Sequence, residues 1–344
     1  MKRTLISLAR ILFSVGIVII LLLRTNLSEL YDVFVHSDYW YSGLALLVSL
    51  IGLYLGTLRW QILLKRFDVN VLIYPLFRLI CLSLFYNFFI PGGFAGDIIR
   101  GYKCKNYDLN GTQGIASVFL DRIMGLVGFI FFGLMGILFT FNLLRGTNLL
   151  VGVGVVFISV IVVTGIIFNR KIMSSLKFIS KIHVTLYEKL RKCYDYIYYY
   201  RNYKRILIYA LVVSLITGLT NILAFYLLSV SVGGNVAFVY FVFFIPIITL
   251  VSYFPISYSG LGIREMAFTI LFLQVGMSRD QALAIPLMYF SLLLFMGILG
   301  GIFYITTKRL LLDQDDKQVF VSGSFFKSSE VAGSEKEKEK QFSL

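Results

Sequence analysis

Long apolar blocks, each about 18 residues or more, make up most of the chain and set the kind of fold it can adopt. A block of that length crosses a hydrocarbon core of roughly 30 Å as an α-helix, whereas the strands of a membrane barrel are shorter and alternate in polarity. Hydrophobic residues make up 58% of the 344 residues and charged residues 15%, which excludes a soluble globular protein. The sequence therefore predicts an all-α, polytopic membrane helical bundle.

Charges in the connecting segments predict the path of the chain across the membrane. Between Arg170 and Arg205 there are ten Lys/Arg and two acids, which places this interfacial loop, 170–205, in the cytoplasm. Most of the net charge of +14 is thus explained without a nucleic-acid partner. The N-terminus and segment 59–71, with Arg59, are also basic, so both termini are predicted to be cytoplasmic. We predict six full transmembrane helices, at about 5–23, 40–58, 113–141, 149–168, 206–230 and 281–307.

Two further apolar segments, 72–112 and 236–276, cannot be single crossings on this path. The first must begin and end inside, and the second must begin and end outside. Each is interrupted by a proline and glycines followed by an acid and an arginine, in "PGGFAGDIIR" and "PISYSGLGIRE". We predict two broken or re-entrant segments that enter from opposite faces, which is typical of an inverted repeat.

A break inside a bilayer exposes backbone amides, at several kcal/mol each, unless it lines a wet cavity or is buried in protein. Matching breaks in two halves usually indicate a transport site, because half-helix N-termini attract anionic groups. Charged residues within apolar blocks are also functional candidates, since each costs at least ~2.5–3.5 kcal/mol there. The predicted substrate-binding residues are Pro91, Gly92, Gly93, Gly96, Asp97, Arg100, Asp121, Arg122, Pro255, Gly260, Gly262, Arg264 and Glu265.

Neighbours in sequence do not face each other on a helix. We therefore expect Asp121 to pair with Arg100 or Arg264 rather than with Arg122. We expect Glu265 to point away from Arg264 and to pair with Arg100 or Arg122, which leaves Arg264 free to bind a ligand. The alternative is that these charges are ion pairs that only lock the bundle. We also expect the two motifs to meet around one cavity.

At these residues the sequence resembles the transmembrane flippase domain of lysylphosphatidylglycerol synthases and its stand-alone relatives. "NFFIPGGFAGDIIR", "ASVFLDRIMGL" and "PISYSGLGIREMAF" are similar to the motifs of that family. The resemblance covers about 1–310 and adds Asn87 and Ser257 to the site. It departs from the family at Ala95, where glycine is common, and at Asp121, where glutamate is usual.

The resemblance implies that the chain moves a phospholipid or a polyprenyl-linked lipid between the leaflets of the cell membrane. It implies no catalytic residue, and with three scattered cysteines and two histidines we expect no cofactor and no metal. The expected protein partner is either a second copy of the chain or a lipid-modifying enzyme. The polar residues 311–344 are predicted to form a disordered, charged cytoplasmic tail, so aminoacyl transfer is expected to be absent.

Two other functions remain open from the sequence. A membrane enzyme acting on lipid phosphates would also place acids and arginines at the membrane face. A non-transporting scaffold subunit of an envelope lipid or glycan enzyme complex would need no ligand at all. The scaffold hypothesis predicts that Asp97 and Arg264 tolerate neutral replacements, whereas transport predicts that they do not.

Overall fold

The computed structural model describes residues 27–89, 95–107, 109–144, 154, 184–252 and 260–311. Within these ranges every regular element is an α-helix or a 3₁₀-helix, which confirms the all-α prediction. The α-helices are α1 (Leu27–Val35), α2 (Tyr39–Leu64), α3 (Ile73–Phe89), α4 (Ala95–Lys103), α5 (Gly111–Leu144), α6 (Val184–Tyr199), α7 (Lys204–Ser231), α8 (Phe238–Ser252), α9 (Ile263–Leu273) and α10 (Arg279–Leu311).

Four of the helices, α2, α5, α7 and α10, are long and apolar enough to cross a membrane. They correspond to four of the six predicted transmembrane helices. The predicted helices at about 5–23 and 149–168 lie outside the described residues. Helix α2 continues to Leu64, beyond its predicted end near residue 58, because the apolar run resumes after Arg59.

Each of the two interrupted segments forms a pair of short helices. The first contains α3 and α4, and the second contains α8 and α9. At 1.5 Å per residue, the nine residues of α4 and the eleven of α9 extend only about 14 and 17 Å, roughly half of a hydrocarbon core. Between the paired helices, residues 90–94 and 253–259 lie outside the described part of the chain.

Small residues let the helices approach closely at the contacts that position the site. A Cβ atom on Gly114 of α5 would lie 2.0 Å from the carbonyl oxygen of Gly101 in α4. A Cβ atom on Gly52 of α2 would lie 2.7 Å from Oγ1 of Thr220 in α7. Helices in membranes associate largely through such packing, since lipid offers no hydrophobic drive between them. The result is that α4 rests on α5, and α2 rests on α7.

The described part of the basic segment is helical and packs against the end of α2. The hydroxyl of Tyr200 donates a hydrogen bond to the carbonyl of Leu63 at 2.8 Å, and burial raises the pKa of this phenol above its usual value. The ring of Phe67 meets Tyr196 and Tyr200 edge-on, with centroids 5.6 and 5.9 Å apart. This part of the predicted interfacial loop is therefore anchored to the bundle through its tyrosines.

Candidate functional site

The close approach of α4 to α3 depends on Gly96. A Cβ atom there would lie 2.0 Å from the carbonyl oxygen of Ser83, so only glycine fits. The amide of Gly96 donates to Oδ1 of Asn87 at 2.9 Å, and the hydroxyl of Ser83 donates to Oδ1 of Asp97 at 3.3 Å. Asn87, Gly96 and Asp97, all expected at the site from sequence, are thus brought together at the start of α4.

Five charged side chains from α2, α4 and α5 form a continuous ion-pair network. Asp97 accepts from Nε of Arg122 at 2.8 Å and lies 3.0 Å from Nε of Arg100. Asp121 accepts from Nη2 of Arg100 at 3.0 Å and from Nε of Arg59 at 2.6 Å. Asp97, Arg100 and Asp121 are buried. The expected pairing of Asp121 with Arg100 is confirmed.

Arg59, counted from sequence with the basic segment 59–71, lies within α2 and belongs to this network. Its Nη1 also donates to the hydroxyl of Ser214 on α7 at 3.2 Å. Gly125 of α5 leaves space for its guanidinium, since a Cβ atom there would lie 3.3 Å from Nη1. The sequence signal that could have identified Arg59 is the one used for Asp121, namely a charged residue with apolar residues on both sides.

Trp60 is a further residue that the sequence did not indicate. It is completely buried, its indole Nε1 donates to the hydroxyl of Ser117 at 3.0 Å, and its ring centroid lies 4.8 Å from the guanidinium carbon of Arg100. A cation at that distance from an indole face is attracted to it. Trp60 therefore fixes the orientation of Arg100 between the two aspartates.

A cavity of about 260 Å³ borders the network. Of the described residues that line it, three are arginines and two are aspartates: Arg59, Arg100, Arg122, Asp97 and Asp121. The lining thus carries one more positive than negative charge. On the remaining wall, polar residues of α2 and α7 lie beside apolar side chains.

The second motif forms a closed ion pair at the start of α9. The backbone φ angles of Gly260 and Gly262 are +78° and +85°, a region that favours glycine. Glu265 folds back to accept from the amide of Gly262 at 2.5 Å through Oε2. Its Oε1 accepts from Nε and Nη2 of Arg264 at 3.2 and 2.7 Å. Both side chains are buried.

The expectation that Glu265 points away from Arg264 is therefore wrong. Glu265 is the third residue of its helix, where a carboxylate turns back toward the N-cap amide. That turn brings the carboxylate within reach of the arginine beside it. The rule that sequence neighbours do not face each other holds for side chains that point outward from a regular helix. It fails in the first turn of α9, where the side chain of Glu265 folds back.

The positive ends of the two half-helices already hold acceptors from the chain itself. Glu265 occupies the N-terminus of α9, and the side-chain Oδ1 of Asn87 accepts the Gly96 amide at the N-terminus of α4. Asp97 adds a carboxylate in the first turn of α4. At the described part of the cavity, the groups suited to an external anion are the guanidinium groups of its arginines.

Tyr289 of α10 connects the second motif to the cavity. It lines the cavity, and its hydroxyl accepts from Nδ2 of Asn221 at 2.6 Å. The guanidinium carbon of Arg264 lies 5.7 Å from the Tyr289 ring centroid and 5.5 Å from that of Phe290. Arg264 and Glu265 are not among the described residues that line the cavity.

Five predicted site residues lie outside the described part of the chain. They are Pro91, Gly92, Gly93, Pro255 and Ser257. The interrupted backbone at the centre of each motif falls on the same stretches. The expectation that the two motifs share one cavity therefore stays a prediction.

The helices and their embedded charges define a multi-pass helical membrane protein with two interrupted apolar segments and a buried ion-pair network. Its sequence matches the family described as the lysylphosphatidylglycerol synthase TM region over residues 7–301, and the chain belongs to that family. It is 24% identical over 328 residues to a UPF0104 membrane protein of Pyrococcus horikoshii, an alignment that covers 88% of this chain and 97% of the relative. No solved structure matches it significantly. The resemblance stated from the motifs is confirmed.

Proposed function

We propose that this protein moves a phospholipid or a polyprenyl-linked lipid with an anionic headgroup between membrane leaflets. The observation that carries the proposal is that the described residues of the cavity lining include three arginines and two aspartates. Charged side chains within a membrane-spanning bundle are costly and mark functional sites. A lipid phosphate is an anion that the guanidinium groups at this cavity can bind.

The arginines keep donors for such a ligand. A guanidinium has five N–H donors, and among the described residues Arg59 uses Nε toward Asp121 and Nη1 toward Ser214. The side chain of Arg122 is 31% exposed, which is the largest exposure in the network. Two parallel N–H groups match two phosphate oxygens, a geometry that lysine cannot reproduce.

The family supports a lipid as the substrate class, since its description names the membrane region of a lipid synthase. In this proposal α3–α4 and α8–α9 are re-entrant pairs that enter from opposite faces as an inverted repeat in the cell membrane. Both termini are cytoplasmic. The first motif holds the headgroup. The second motif forms a fixed structure beside the cavity, to which it is connected by Tyr289.

The test is lipid movement in liposomes containing the purified full chain. Lipids with a fluorescent chain are placed in both leaflets, and an impermeant reductant then bleaches those that reach the outside. Arg122→Gln is the informative variant because Asp97 keeps its contacts with Arg100 and Ser83. Arg191→Gln, at an exposed position of α6 that does not line the cavity, is the matched control.

Hydrogen bonds to a charged group are worth about 1.5–3 kcal/mol, and about 1.4 kcal/mol corresponds to tenfold. We therefore expect Arg122→Gln to move an anionic lipid about tenfold more slowly or worse. Its thermal midpoint should fall less than that of a variant of a fully buried pair, because Arg122 is 31% exposed and Asp97 keeps Arg100. Arg191→Gln should match the native rate. A native protein that moves none of the lipids, or an Arg122→Gln protein that moves them at the native rate, would refute the proposal.

A further inference from the structure

The wall of the cavity formed by α2 and α7 carries hydroxyl groups whose protons are already used. Ser49, Thr217 and Thr220 line the cavity. Their hydroxyls donate to backbone carbonyls of their own helices, at 2.7, 2.8 and 2.8 Å respectively. A hydroxyl has one proton and two lone pairs. Each of the three can therefore offer the cavity only an acceptor.

Asn221 adds a fourth acceptor to this wall. Its amide nitrogen donates to the hydroxyl of Tyr289 at 2.6 Å. Its Oδ1 is shielded from solvent and has no hydrogen-bond partner among the described residues. A buried oxygen without a partner is unfavourable and uncommon in folded proteins, so a donor from a bound molecule would stabilise it. We call Ser49, Thr217, Thr220 and Asn221 the acceptor wall.

Space for a bound group is present beside the acceptor wall. Gly56 of α2 also lines the cavity, and a Cβ atom built on it would have nothing within 4 Å among the described residues. The arginines lie on other walls of the same cavity. The cavity therefore has a cationic part that suits a phosphate and a neutral part that suits hydrogen-bond donors.

We infer that the lipid carries hydrogen-bond donors, as hydroxyl or N–H groups, on the part of its headgroup beyond the phosphate. This inference rests on the proposed function and makes the substrate class narrower. The phosphate lies at Arg59, Arg100 and Arg122, and the donors lie at the acceptor wall. A headgroup that has the same charge but no donor leaves Asn221 Oδ1 unpaired, which the site disfavours in the way that polar sites reject analogues lacking a partner group.

Two matched lipid pairs test the inference in the liposome assay. Phosphatidylglycerol and phosphatidylmethanol have the same charge, but only the first has headgroup hydroxyls. Phosphatidylethanolamine and phosphatidylcholine also share a charge, and only the first has N–H groups. We expect the donor-bearing lipid of at least one pair to move about tenfold faster or more. The pair that shows the difference in rate identifies whether the site recognises hydroxyl groups or N–H groups.

Variants of the wall locate the effect. Asn221→Leu and Thr217→Val remove acceptors while keeping approximate volume, and should reduce the preference to about twofold or less by slowing the donor-bearing lipid. Thr249→Val is the control, because Thr249 on α8 makes the same bond to its own helix, at 2.8 Å to Ile245, but does not line the cavity. Its preference should match that of the native chain.

The failures are distinguishable. Equal rates within both pairs, in native protein that moves them, overturn the inference and leave the proposed function standing. Absence of movement for every lipid overturns both. A preference that persists in folded Asn221→Leu and Thr217→Val proteins overturns the assignment to the acceptor wall. The comparison of lipids on the native chain gives its answer even if a variant does not fold.

Discussion

Replacement of Arg264 by glutamine should destabilise the protein, because its partner is a fully buried carboxylate. Glu265 is 0% exposed and receives two hydrogen bonds from Arg264, at 3.2 and 2.7 Å, and one from the amide of Gly262. Arg264→Gln removes the guanidinium and leaves the negative charge with the single amide. This outcome differs from the one expected of an arginine that is free to bind a lipid.

The magnitude follows from the burial of the pair. Breaking a buried ion pair by removing one partner costs about 3–5 kcal/mol. With an unfolding entropy of about 2.1 cal/mol/K per residue, 344 residues give about 0.7 kcal/mol per degree. The midpoint of thermal unfolding should therefore fall by at least about 4 °C. Helices that persist in the detergent micelle reduce the entropy gained and make the shift larger.

The double variant Arg264→Gln/Glu265→Gln provides the internal control. Glutamine at 265 can still accept from the Gly262 amide, as in a capping box, and no charge remains buried. We expect the double variant to regain most of the lost stability. Thermal unfolding in detergent and lipid movement in liposomes are measured on the same preparations. A stable Arg264→Gln protein that moves no lipid would refute the structural role and would indicate that Arg264 binds the ligand.

Two further predictions concern close packing and the side of the membrane. Gly96→Ala should prevent correct folding, because its Cβ would lie 2.0 Å from a backbone carbonyl. Gly43→Ala, whose Cβ would have nothing within 4 Å among the described residues, should be neutral or stabilising by up to about 1 kcal/mol. Equal recovery of the two folded variants on gel filtration would contradict this. Burial raises the pKa of the Cys193 thiol to about 11, so its alkylation should be slow at pH 7 and quicken about tenfold per pH unit toward pH 9 as the thiolate forms. A cysteine at exposed Tyr199 should react readily, but not with an impermeant reagent in intact cells, and labelling there would overturn the predicted cytoplasmic location.

The helical class and the spans could be predicted from sequence because they depend on length and polarity alone. A run of about 20 apolar residues has few alternatives to a spanning helix, and α5, α7 and α10 begin within two residues of their predicted starts. The site residues Asp97, Arg100 and Asp121 were found by the same rule, since a charge in an apolar block is too costly to be incidental.

Other features of the site depend on packing that a sequence does not display. The sequence shows that Arg59 lies in an apolar run, but not that Gly125 of a helix distant in sequence leaves room for its guanidinium beside Asp121. Trp60 orients Arg100, which lies 40 residues further along the chain and on another helix, so no local pattern links the two. Glu265 reached Arg264 because the first turn of a helix allows a carboxylate to fold back.

The two motifs have similar sequences but different electrostatic states, which bears on how a carrier could work. The second motif is neutral within itself, since Arg264 is balanced by Glu265. The first motif belongs to a cavity whose described lining has three arginines and two aspartates. In the proposed carrier, an anion in the cavity would change the charge balance at the first motif and not within the Arg264–Glu265 pair. Tyr289 lines the cavity, and its ring centroid lies 5.7 Å from the guanidinium carbon of Arg264, so it connects the cavity to the second motif.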